Sequence, residues 1–408
     1  MIETDVVIVG GGMVGLTLAA ALDHGGVTTA VIDREDPAWL TDAKFDGRVS
    51  AIAFAAWNML KAIGVADLLE SKAQPINDIR VSDGGSPLFL HFDHRSVSNE
   101  PFGYMVENRH LRQALDALAG DLSGLVRFQP AEVVAMEREA HGVTVTLKDG
   151  TEIHGSLLVG ADGRGSRVRE SAGIKVHSAE YGQAGIVTTV EHERDHNGCA
   201  QERFLPAGPF AVLPMTGRRS SLVWTEPTAR AAALMKLDTD AFDAEMRARL
   251  GDYLGEAHCV GPRWSYTLGV QIADRYIDQR LALVGDAAHG VHPIAGQGLN
   301  MGLRDVAALA EVVSDAKRLG MDLGDATVLE RYQRWRRFDN VLLTAVTDGL
   351  NRLFSNDIAP LRMARDLGLG LVNRIPPLKR FFIQHARGSV GELPKLLLGH
   401  PLNPTGTP

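Results

Sequence analysis

The chain has 408 residues, with 42 Lys and Arg against 50 Asp and Glu, so its formal net charge is −8. Apolar residues make up 45% and charged residues 23%, which is typical of a globular protein with two or three domains or one large one. The acidic balance argues against a nucleic-acid partner, because such binding needs a basic face. Two cysteines exclude a disulfide framework and favour a reducing, cytoplasmic compartment.

The N-terminus lacks a basic segment ahead of an apolar one, so we expect no signal peptide. No apolar run approaches the roughly 20 residues that a membrane-spanning helix needs. Residues 4–33 instead predict a βαβ unit. The apolar run Val6–Val9 predicts a buried strand, residues 13–22 have helical spacing, and residues 29–32 predict a second short strand that ends at Asp33.

The turn of this unit, residues 10–15, satisfies G-x-G-x-x-G. In such a turn Gly10 permits the tight bend, Gly12 lets a pyrophosphate approach the backbone, and Gly15 lets helix and strand pack closely. Asp33 lies 18 residues after Gly15 and can accept hydrogen bonds from ribose hydroxyls. The pattern predicts a dinucleotide site that fits NAD or FAD. The alternative is a glycine-rich turn with a solvent-facing Asp33.

The middle of the chain predicts strands. Residues 133–159 predict a β-meander, and residues 181–271 predict a sheet interrupted by a helix around residues 240–250. Residues 281–284 then return as a buried strand, and the chain after Leu303 is predicted to be helical nearly to its end. The predicted organisation is a discontinuous nucleotide-binding domain (1–75, 100–175 and 275–330), a sheet-rich substrate domain (76–99 and 176–274) and a C-terminal helical region (331–408).

A second glycine-rich loop follows the strand at residues 281–284. Asp286 ends that strand and can reach a ribityl or ribose hydroxyl. Residues 296–300 begin a long helix whose free N–H groups form a positive end, which could stabilise the negative charge of a reduced flavin. An ordinary NAD dehydrogenase needs no such element. This loop therefore favours FAD.

Residues 285–305 contain H-P-I-A-G-Q-G-L-N-M-G-L-R-D and resemble the signature of the UbiH-type ubiquinone-biosynthesis FAD-dependent hydroxylases. These enzymes belong to the aromatic-hydroxylase class of flavoprotein monooxygenases, which includes para-hydroxybenzoate hydroxylase. Residues 157–169, L-L-V-G-A-D-G-R-G-S-R-V-R, resemble the Asp-Gly motif that this class uses for FAD and NAD(P)H. Residues 348–356 also resemble the family, so the similarity covers essentially the whole chain.

The resemblance implies an α/β fold, with an FAD-binding Rossmann-like domain of the para-hydroxybenzoate hydroxylase type, an inserted antiparallel-sheet substrate domain and a helical C-terminal region. It implies bound FAD, with NAD(P)H and O2 as cosubstrates, and hydroxylation of the aromatic ring of a polyprenylated phenol in ubiquinone biosynthesis. Two alternatives stay open. One is another FAD-dependent monooxygenase, such as an epoxidase or a hydroxylase of a different aromatic, and the other is a flavin-holding, non-catalytic subunit of a quinone-biosynthesis complex.

The resemblance also implies which residues hold the cofactor. For Arg48 and Arg109 the alternative is an ordinary surface or salt-bridge role. The implied cofactor residues are Gly10, Gly12, Met13, Val14, Gly15, Asp33, Arg34, Arg48, Arg109, Asp162, Gly285, Asp286, Pro293, Gly296, Gly298, Leu299 and Asn300.

Four apolar residues of the sheet-rich region resemble family positions that face the flavin: Phe204, Phe210, Leu213 and Trp224. Their alternative is ordinary core packing. No pattern names a catalytic base, and neither a Ser/His/Asp set nor a carboxylate pair is visible.

Residues 192–196 match the zinc motif H-E-x-x-H, but they follow a strand pattern and run into the turn signal Asn197-Gly198. We therefore interpret them as a solvated hairpin tip and expect no metal. The basic and apolar segment 375–383 could lie on the inner surface of a membrane, with ordinary packing as the alternative. A homo-oligomer also stays open.

Overall fold

The computed structural model describes residues 2–36, 46–84, 89–290, 297–337, 339–340, 383–384 and 386–403. The described strands form four sheets. In chain order they are β1 (Ile2–Glu3), β2 (Val6–Val9), β3 (Thr29–Ile32), β4 (Val49–Ala53), β5 (Ala73–Ile76), β6 (Asp78–Asp83), β7 (Phe89–Asp93), β8 (Gly103–Glu107), β9 (Leu125–Phe128), β10 (Val133–Arg138), β11 (Val143–Leu147), β12 (Glu152–Gly155), β13 (Leu157–Gly160), β14 (Val176–His192), β15 (Cys199–Leu205), β16 (Gly208–Met215), β17 (Arg219–Pro227), β18 (Ala257–Ala273), β19 (Ile277–Asp278), β20 (Leu281–Leu283) and β21 (His289–Gly290).

The described helices pack on three of these sheets. None of them is both long and apolar enough to cross a membrane. They are α1 (Met13–His24), α2 (Phe54–Ala62), α3 (Asn108–Asp121), α4 (Arg167–Ser171), α5 (Thr228–Leu234), α6 (Thr239–Leu250) and α7 (Gln297–Arg318), and residues 326–337 are also helical.

The first sheet has the strand order β19-β20-β13-β2-β3-β9 and is parallel from β20 to β9. Its strands are short apolar runs because helices cover a parallel sheet on both faces. Helices α1 and α7 contact each other, and their apolar residues join those of the sheet in one core cluster. This sheet and the loops at its carboxyl edge carry the predicted nucleotide site.

The predicted meander forms from β10, β11 and β12, which pair antiparallel, and β1 joins it along β12. The last part of the predicted meander, residues 152–159, belongs to two sheets, because the chain leaves the meander at Ser156 and enters the parallel sheet as β13. Both halves are apolar, so hydrophobicity alone did not reveal the change of sheet. This crossing brings the Asp-Gly motif beside β2.

The largest sheet has eight strands in the order β21-β18-β14-β17-β16-β15-β6-β7, and only β15 and β6 pair in parallel. Strands β14 and β18 each have 17 residues and reach beyond the predicted sheet region, residues 181–271, at its two ends. Residues 176–180 of β14 and 264–267 of β18 are exposed, so these stretches lack the apolar alternation that predicts strands. Helices α5 and α6 cover one face of this sheet.

The other face of the eight-stranded sheet meets a small three-stranded sheet, β4-β8-β5. Apolar residues from both sides form a separate core cluster at this junction, among them Ile76, Phe102, Met105 and Ala200. Ile383, the last residue of the segment predicted to lie on a membrane, is buried in the same cluster. The rest of that segment, and residues 348–356, lie outside the described residues.

Residues 326–337 pack on the parallel sheet, where the hydroxyl of Tyr332 donates a hydrogen bond to the carbonyl of Leu283 at 2.7 Å. The prediction of helix nearly to the end is wrong for residues 387–403. There the chain forms turns and one short 3-10 helix, Lys395–Leu398. Gly388, Gly391 and Gly399 all have positive φ, a conformation that interrupts a helix.

Candidate active site

Three glycine-containing loops meet at one edge of the parallel sheet. They follow β2, β13 and β20, which are neighbours in the sheet, and Gly160 pairs with both Val9 and Leu283. Because the carboxyl ends of adjacent parallel strands lie side by side, the loops after them form a common crevice. The sequence predicted each loop separately, and the topology brings them together.

The first loop is built so tightly that two positions require glycine. Gly10 has a φ of +109°, and a Cβ there would lie 2.4 Å from the carbonyl oxygen of Ala161. A Cβ on Gly15 would lie 1.9 Å from the carbonyl oxygen of Gly10. A Cβ on Gly12, in contrast, would meet nothing within 4 Å. The protein itself therefore does not explain glycine at position 12, whereas close approach of an anion does.

Gly12 is also the N-cap residue of α1, and no side chain caps this helix end. The N–H groups of the first turn, which includes Met13 and Val14, are therefore available to an external acceptor. A helix N-terminus with a positive partial charge and open backbone fits a pyrophosphate group.

Asp33 lies beside this loop at the end of β3. Its Oδ2 accepts a hydrogen bond from the backbone N–H of Gly11 at 2.5 Å, and its Oδ1 accepts one from Glu35 at 2.8 Å. The carboxylate thus holds the glycine loop against the neighbouring strand. Arg34 is exposed next to it. Their contacts to a ribose remain a prediction.

The loop after β13 carries a buried acceptor that lacks a donor. Oδ2 of Asp162 accepts a hydrogen bond from the backbone N–H of Val168 at 3.2 Å. Oδ1 of Asp162 is buried, and no described residue donates to it. Because buried oxygens are nearly always hydrogen-bonded, this atom fits a donor on a bound cofactor, such as a hydroxyl.

The third loop packs directly onto the first. Gly285 has a φ of +61°, and a Cβ placed on Gly302 would lie 3.0 Å from Val14 and 3.2 Å from the Cα of Gly285. Asp286 has 46% of its side chain exposed and lies 3.5 Å from Nε of Arg164. The start of α7 therefore lies against the start of α1.

At the start of α7, Gly298 and Leu299 are partly exposed, and a Cβ on Gly298 would meet nothing within 4 Å. Predicted cofactor residues Pro293 and Gly296 lie outside the described residues. The side chain of Asn300 connects α7 to β4: its Nδ2 donates to the carbonyl of Ala51 and its Oδ1 accepts from the N–H of Ala53, both at 2.8 Å. The predicted role of its backbone N–H toward a flavin stays a prediction.

Behind this loop lies a buried ionic network that the sequence did not predict. Oδ2 of Asp305 accepts hydrogen bonds from Nε2 of His289 at 2.5 Å and from the N–H of Gly285 at 3.1 Å. Its Oδ1 accepts from Nε of Arg336 at 2.9 Å and from Asn340 at 3.1 Å. Burial raises the pKa of Asp305, but the ion pairs outweigh burial and lower it to about 2. The network connects the loop, α7 and the following helical segment.

The two predicted arginines form ion pairs. The guanidinium of Arg48 lies 2.6 Å from Asp46 and 5.8 Å from the centre of the Trp264 ring. Nε of Arg109 donates to Glu107 at 2.7 Å. These pairs are what the salt-bridge alternative describes, and a role for either arginine toward the cofactor stays a prediction.

Arg112, on α3, was not singled out by the sequence. Burial, and next the positive charge of Arg48, lower its pKa. It therefore adds a second guanidinium beside Arg48. Arg residues are too common on helices for this position to be recognised from spacing alone.

A cavity of about 90 Å³ lies between the three-stranded sheet and the eight-stranded sheet, and Asn300 reaches it from α7. Leu213 lines this cavity as predicted, and Phe204 lies on the same face of the sheet, by strand alternation and register. The lining is almost entirely apolar. It consists of Ala51, Ile52, Ala53, Ile76, Ile79, Phe102, Gly103, Ala200, Gln201, Glu202, Leu213, Asn300 and Ala386.

The structure does not place Phe210 and Trp224 at this cavity. Both lie on the opposite face of the sheet, in the core beneath α5 and α6. Nε1 of Trp224 donates to Glu226 at 2.8 Å, and the guanidinium of Arg249 lies 4.3 Å from the centre of its ring. The strand register places Phe210 directly opposite Trp224, so both side chains lie on the same face of the sheet. Both residues therefore fit the alternative of ordinary core packing.

The H-E-x-x-H segment is not helical, and its histidines are not solvated as predicted. His192 and His196 are 6% and 7% exposed, and their nitrogens are engaged in hydrogen bonds. His192 contacts the carbonyl of Arg194 at 2.7 Å, and His196 contacts that of Met215 at 2.8 Å. Within the described ranges no group of three His, Cys, Asp or Glu could hold a metal ion.

Comparisons with known proteins agree with this geometry. The FAD binding domain family matches residues 3–338. The structure is similar to that of p-nitrophenol 4-monooxygenase PnpA from Pseudomonas putida, with a TM-score of 0.80, 19% sequence identity, and coverage of 96% of this chain and 100% of that one. Fold and site together define an FAD-dependent monooxygenase of the para-hydroxybenzoate hydroxylase class, with an antiparallel-sheet domain.

Sequence relatives narrow this class. The chain is 56% identical over 401 residues to ubiquinone hydroxylase UbiL of Rhodospirillum rubrum, covering 98% of this chain and 93% of that protein. It is 36% identical to the 3-demethoxyubiquinol 3-hydroxylase of Escherichia coli, covering 94% of this chain and 98% of that protein. This chain belongs to the family of FAD-dependent hydroxylases of ubiquinone biosynthesis.

Proposed function

We propose that this protein hydroxylates the aromatic ring of a polyprenylated phenol in ubiquinone biosynthesis, using bound FAD with NAD(P)H and O2 as cosubstrates. The observation that carries the proposal is the apolar cavity. It lies between the eight-stranded sheet and Asn300, which is at the start of α7 next to the predicted flavin loop. The similarity to a ubiquinone hydroxylase of Rhodospirillum rubrum and a 3-demethoxyubiquinol 3-hydroxylase of Escherichia coli supports the substrate class.

Residues of the three loops would hold FAD. The open backbone at Gly12 and the uncapped start of α1 suit its pyrophosphate, and the unpartnered Oδ1 of Asp162 suits one of its hydroxyls. When bound, FAD supplies the redox chemistry that activates O2. The protein contributes position and exclusion of water.

The cavity would hold the aromatic ring. Its walls come from β4 and the start of β8 on one side, and from β6, β15 and β16 on the other. An apolar enclosure favours an aromatic ring over water and orients the ring by its shape. Asn300 lines the wall of the cavity that is nearest to the predicted flavin loop. Leu213 and Ile79 supply side chains to the sheet wall.

We also propose the division into domains with the boundaries predicted from the sequence, and work in the cytoplasm at the inner membrane surface. An apolar polyprenyl chain resides in a membrane, so its ring must be reached from the surface. The proposal includes three kinds of contact: with the membrane surface, with other enzymes of quinone biosynthesis, and with a second copy of the chain.

The test is incubation of the FAD-loaded protein with geranylphenol, NADH or NADPH, and isotope-labelled O2, followed by mass spectrometry. We expect a product with one labelled oxygen atom on the ring. A Leu213→Trp variant, which fills the cavity, should keep FAD and lose product, whereas the exposed substitution Val134→Trp should change neither. FAD binding without consumption of NAD(P)H in the presence of any phenol would favour the non-catalytic subunit instead.

A further inference from the structure

One carboxyl group, that of Glu202, lies in the otherwise uncharged cavity. Glu202 is in the middle of β15, opposite Ala211 on β16 and beside Val81 on β6. It lines the same cavity as Asn300 from the start of α7. Among the described residues none forms a hydrogen bond or an ion pair with its carboxyl, and burial is the one influence on its pKa.

The nearby arginines, one on β15 itself and one on the adjacent β6, do not contact the carboxyl of Glu202. Arg203 follows Glu202 in β15, and its guanidinium donates to the carbonyl of Arg249 beneath the opposite face of the sheet. The guanidinium of Arg80, on β6, lies 5.6 Å from the centre of the Phe89 ring. Neither neutralises the carboxyl in the cavity.

The remaining charged groups near the cavity have partners of their own. Glu107, on β8, binds Arg109 and Arg219, and Arg387 donates to the carbonyl of Glu100 at 3.2 Å. On β6, Asp83 is the one acid that lies on the same face of the sheet as Glu202. It is buried and already interacts with another group. Glu202 is the one ionisable side chain among the described residues that line the cavity.

Glu202 is partly buried, and a carboxyl that loses hydration without gaining a partner is costly. Burial alone raises the pKa of Glu202 to about 7. Most buried acids in folded proteins are paired, as Glu226 is with Arg249 and Trp224. An unpaired carboxyl in a cavity beside the flavin loop has the position of a group that acts on the cavity's occupant.

From this geometry we infer that Glu202 is the catalytic base, whose carboxylate removes the proton from the phenolic hydroxyl of the bound ring. The inference rests on the proposed function. The O–H bond of the phenol breaks, its electron pair stays on the phenolate oxygen, and the proton forms a new O–H bond on Glu202. The added electron density enters the ring, which makes it a better nucleophile.

After the ring has been hydroxylated, the same proton returns from Glu202 to the phenolate oxygen of the product. The carboxylate is thereby restored, and the residue is unchanged over the cycle. A base with a pKa near the working pH is partly deprotonated and still a strong enough acceptor, which is the condition that general-base catalysis favours. A phenol, with a pKa of about 10 as in tyrosine, gives up its proton to such a base only in a water-poor site that holds both groups.

The test uses the FAD-loaded holoenzyme with geranylphenol and compares wild type, Glu202→Gln and Glu202→Asp. We expect Glu202→Gln to bind FAD normally and to lower kcat for ring hydroxylation by about 100-fold or more, as loss of a general base does. In wild type, kcat/KM should fall as the pH drops below about 7, and this decline should be absent in Glu202→Gln. A ring-fluorinated geranylphenol, which ionises more easily, should recover much of the lost rate.

The matched control is Glu191→Gln on β14, whose side chain is 52% exposed, and it should behave as wild type. If Glu202→Gln hydroxylates geranylphenol at the wild-type rate with the same pH profile, the inference fails and the proposed function stands. If wild type forms no hydroxylated phenol, the proposed function itself fails. Should Glu202→Gln not bind FAD, Glu202→Asp decides: a shifted acidic limb supports the inference, and an unchanged limb overturns it.

Discussion

Two acids, the fully buried Asp305 and the partly buried Glu202, lie on either side of the candidate active site in opposite environments. Asp305, behind the flavin loop, is surrounded by donors, and its pairs with His289 and Arg336 lower its pKa to about 2. Glu202, in the cavity, has no partner among the residues that the structure describes, and burial raises its pKa to about 7. The first is a permanently ionised structural group, whereas the second changes its protonation near neutral pH.

The contrast shows how the molecule separates stability from chemistry. Burial raises the pKa of both carboxyls, so the different outcome comes from their neighbours. The region behind the loop uses its charges to connect three elements. The cavity leaves one charge unbalanced where a substrate would lie.

The largest expected effect comes from removing the paired acid. Asp305→Ala leaves Arg336 and His289 buried without their carboxylate, so we expect the free energy of unfolding to fall by about 3–5 kcal/mol. Urea unfolding of the apoprotein measures this. The exposed substitution Asp121→Ala should change the value by less than about 0.5 kcal/mol. Equal effects of the two substitutions would contradict a structural role for the network.

The next effect concerns the unpaired acid and depends on pH. The pKa of Glu202 is about 7 in the fold against an ordinary value of 4.5. Between these values the unfolded chain releases a proton that the folded protein keeps, so Glu202 reduces stability as the pH rises and the loss is complete above pH 7. At 1.36 kcal/mol for each pKa unit the loss is at most about 3 kcal/mol.

Glu202→Gln removes that loss. Relative to wild type, its free energy of unfolding should therefore increase from about pH 4.5 to about pH 8, with no such change for Glu191→Gln. Urea unfolding at several pH values checks this. A difference between Glu202→Gln and wild type that does not vary with pH would show that the acid is not isolated in the fold.

A smaller effect on the free energy of unfolding is expected at Asn300, which lies between the predicted flavin loop and the cavity. Asn300→Ala removes two hydrogen bonds and leaves the N–H of Ala53 and the carbonyl of Ala51 without their partners. We expect a loss of about 1–3 kcal/mol in the free energy of unfolding and weaker FAD binding. The exposed Asn99→Ala is the control. Unchanged stability would mean that solvent replaces both bonds.

The smallest effect on stability is expected at Gly12, where the fold has room for a side chain. Gly12→Ala should cost less than about 1 kcal/mol in the apoprotein, a value typical of a helix N-cap. It should nevertheless weaken FAD binding by at least about tenfold, because the methyl group keeps the pyrophosphate from the backbone. Fluorescence titration with FAD measures the affinity.

Gly15→Ala is the contrast, since its Cβ would lie 1.9 Å from the carbonyl oxygen of Gly10 and should destabilise the loop itself. Tight FAD binding by Gly12→Ala would refute the assignment of the first loop.

Local patterns predicted much of the FAD side of the molecule. The apolar run of β2, the glycines of residues 10–15 and Asp33 lie within one βαβ unit, so their spacing carries the information. The family, the fold class and FAD, all inferred from resemblance, are confirmed by the comparisons. The individual contacts to FAD stay predictions.

Long-range partners were beyond the sequence. Asp305 and Arg336 are separated by 31 residues. Glu202, on the eight-stranded sheet, and Asn300, on α7, line the same cavity although they are far apart in sequence. Strand β15 is partly buried on both faces, so its alternation could not show which side held a cavity. Glu202 therefore looked like any polar residue of a strand, and Phe210 and Trp224 looked like candidates for the pocket.

The sequence by itself determined the glycine loops, the strands that precede them and the family, because these depend on backbone geometry within short segments. The tertiary structure alone decided which side chains share an environment. Pairing lowered the pKa of the buried Asp305, and loss of hydration raised that of the partly buried Glu202, because the charge that a carboxyl can keep depends on groups that only folding brings within reach.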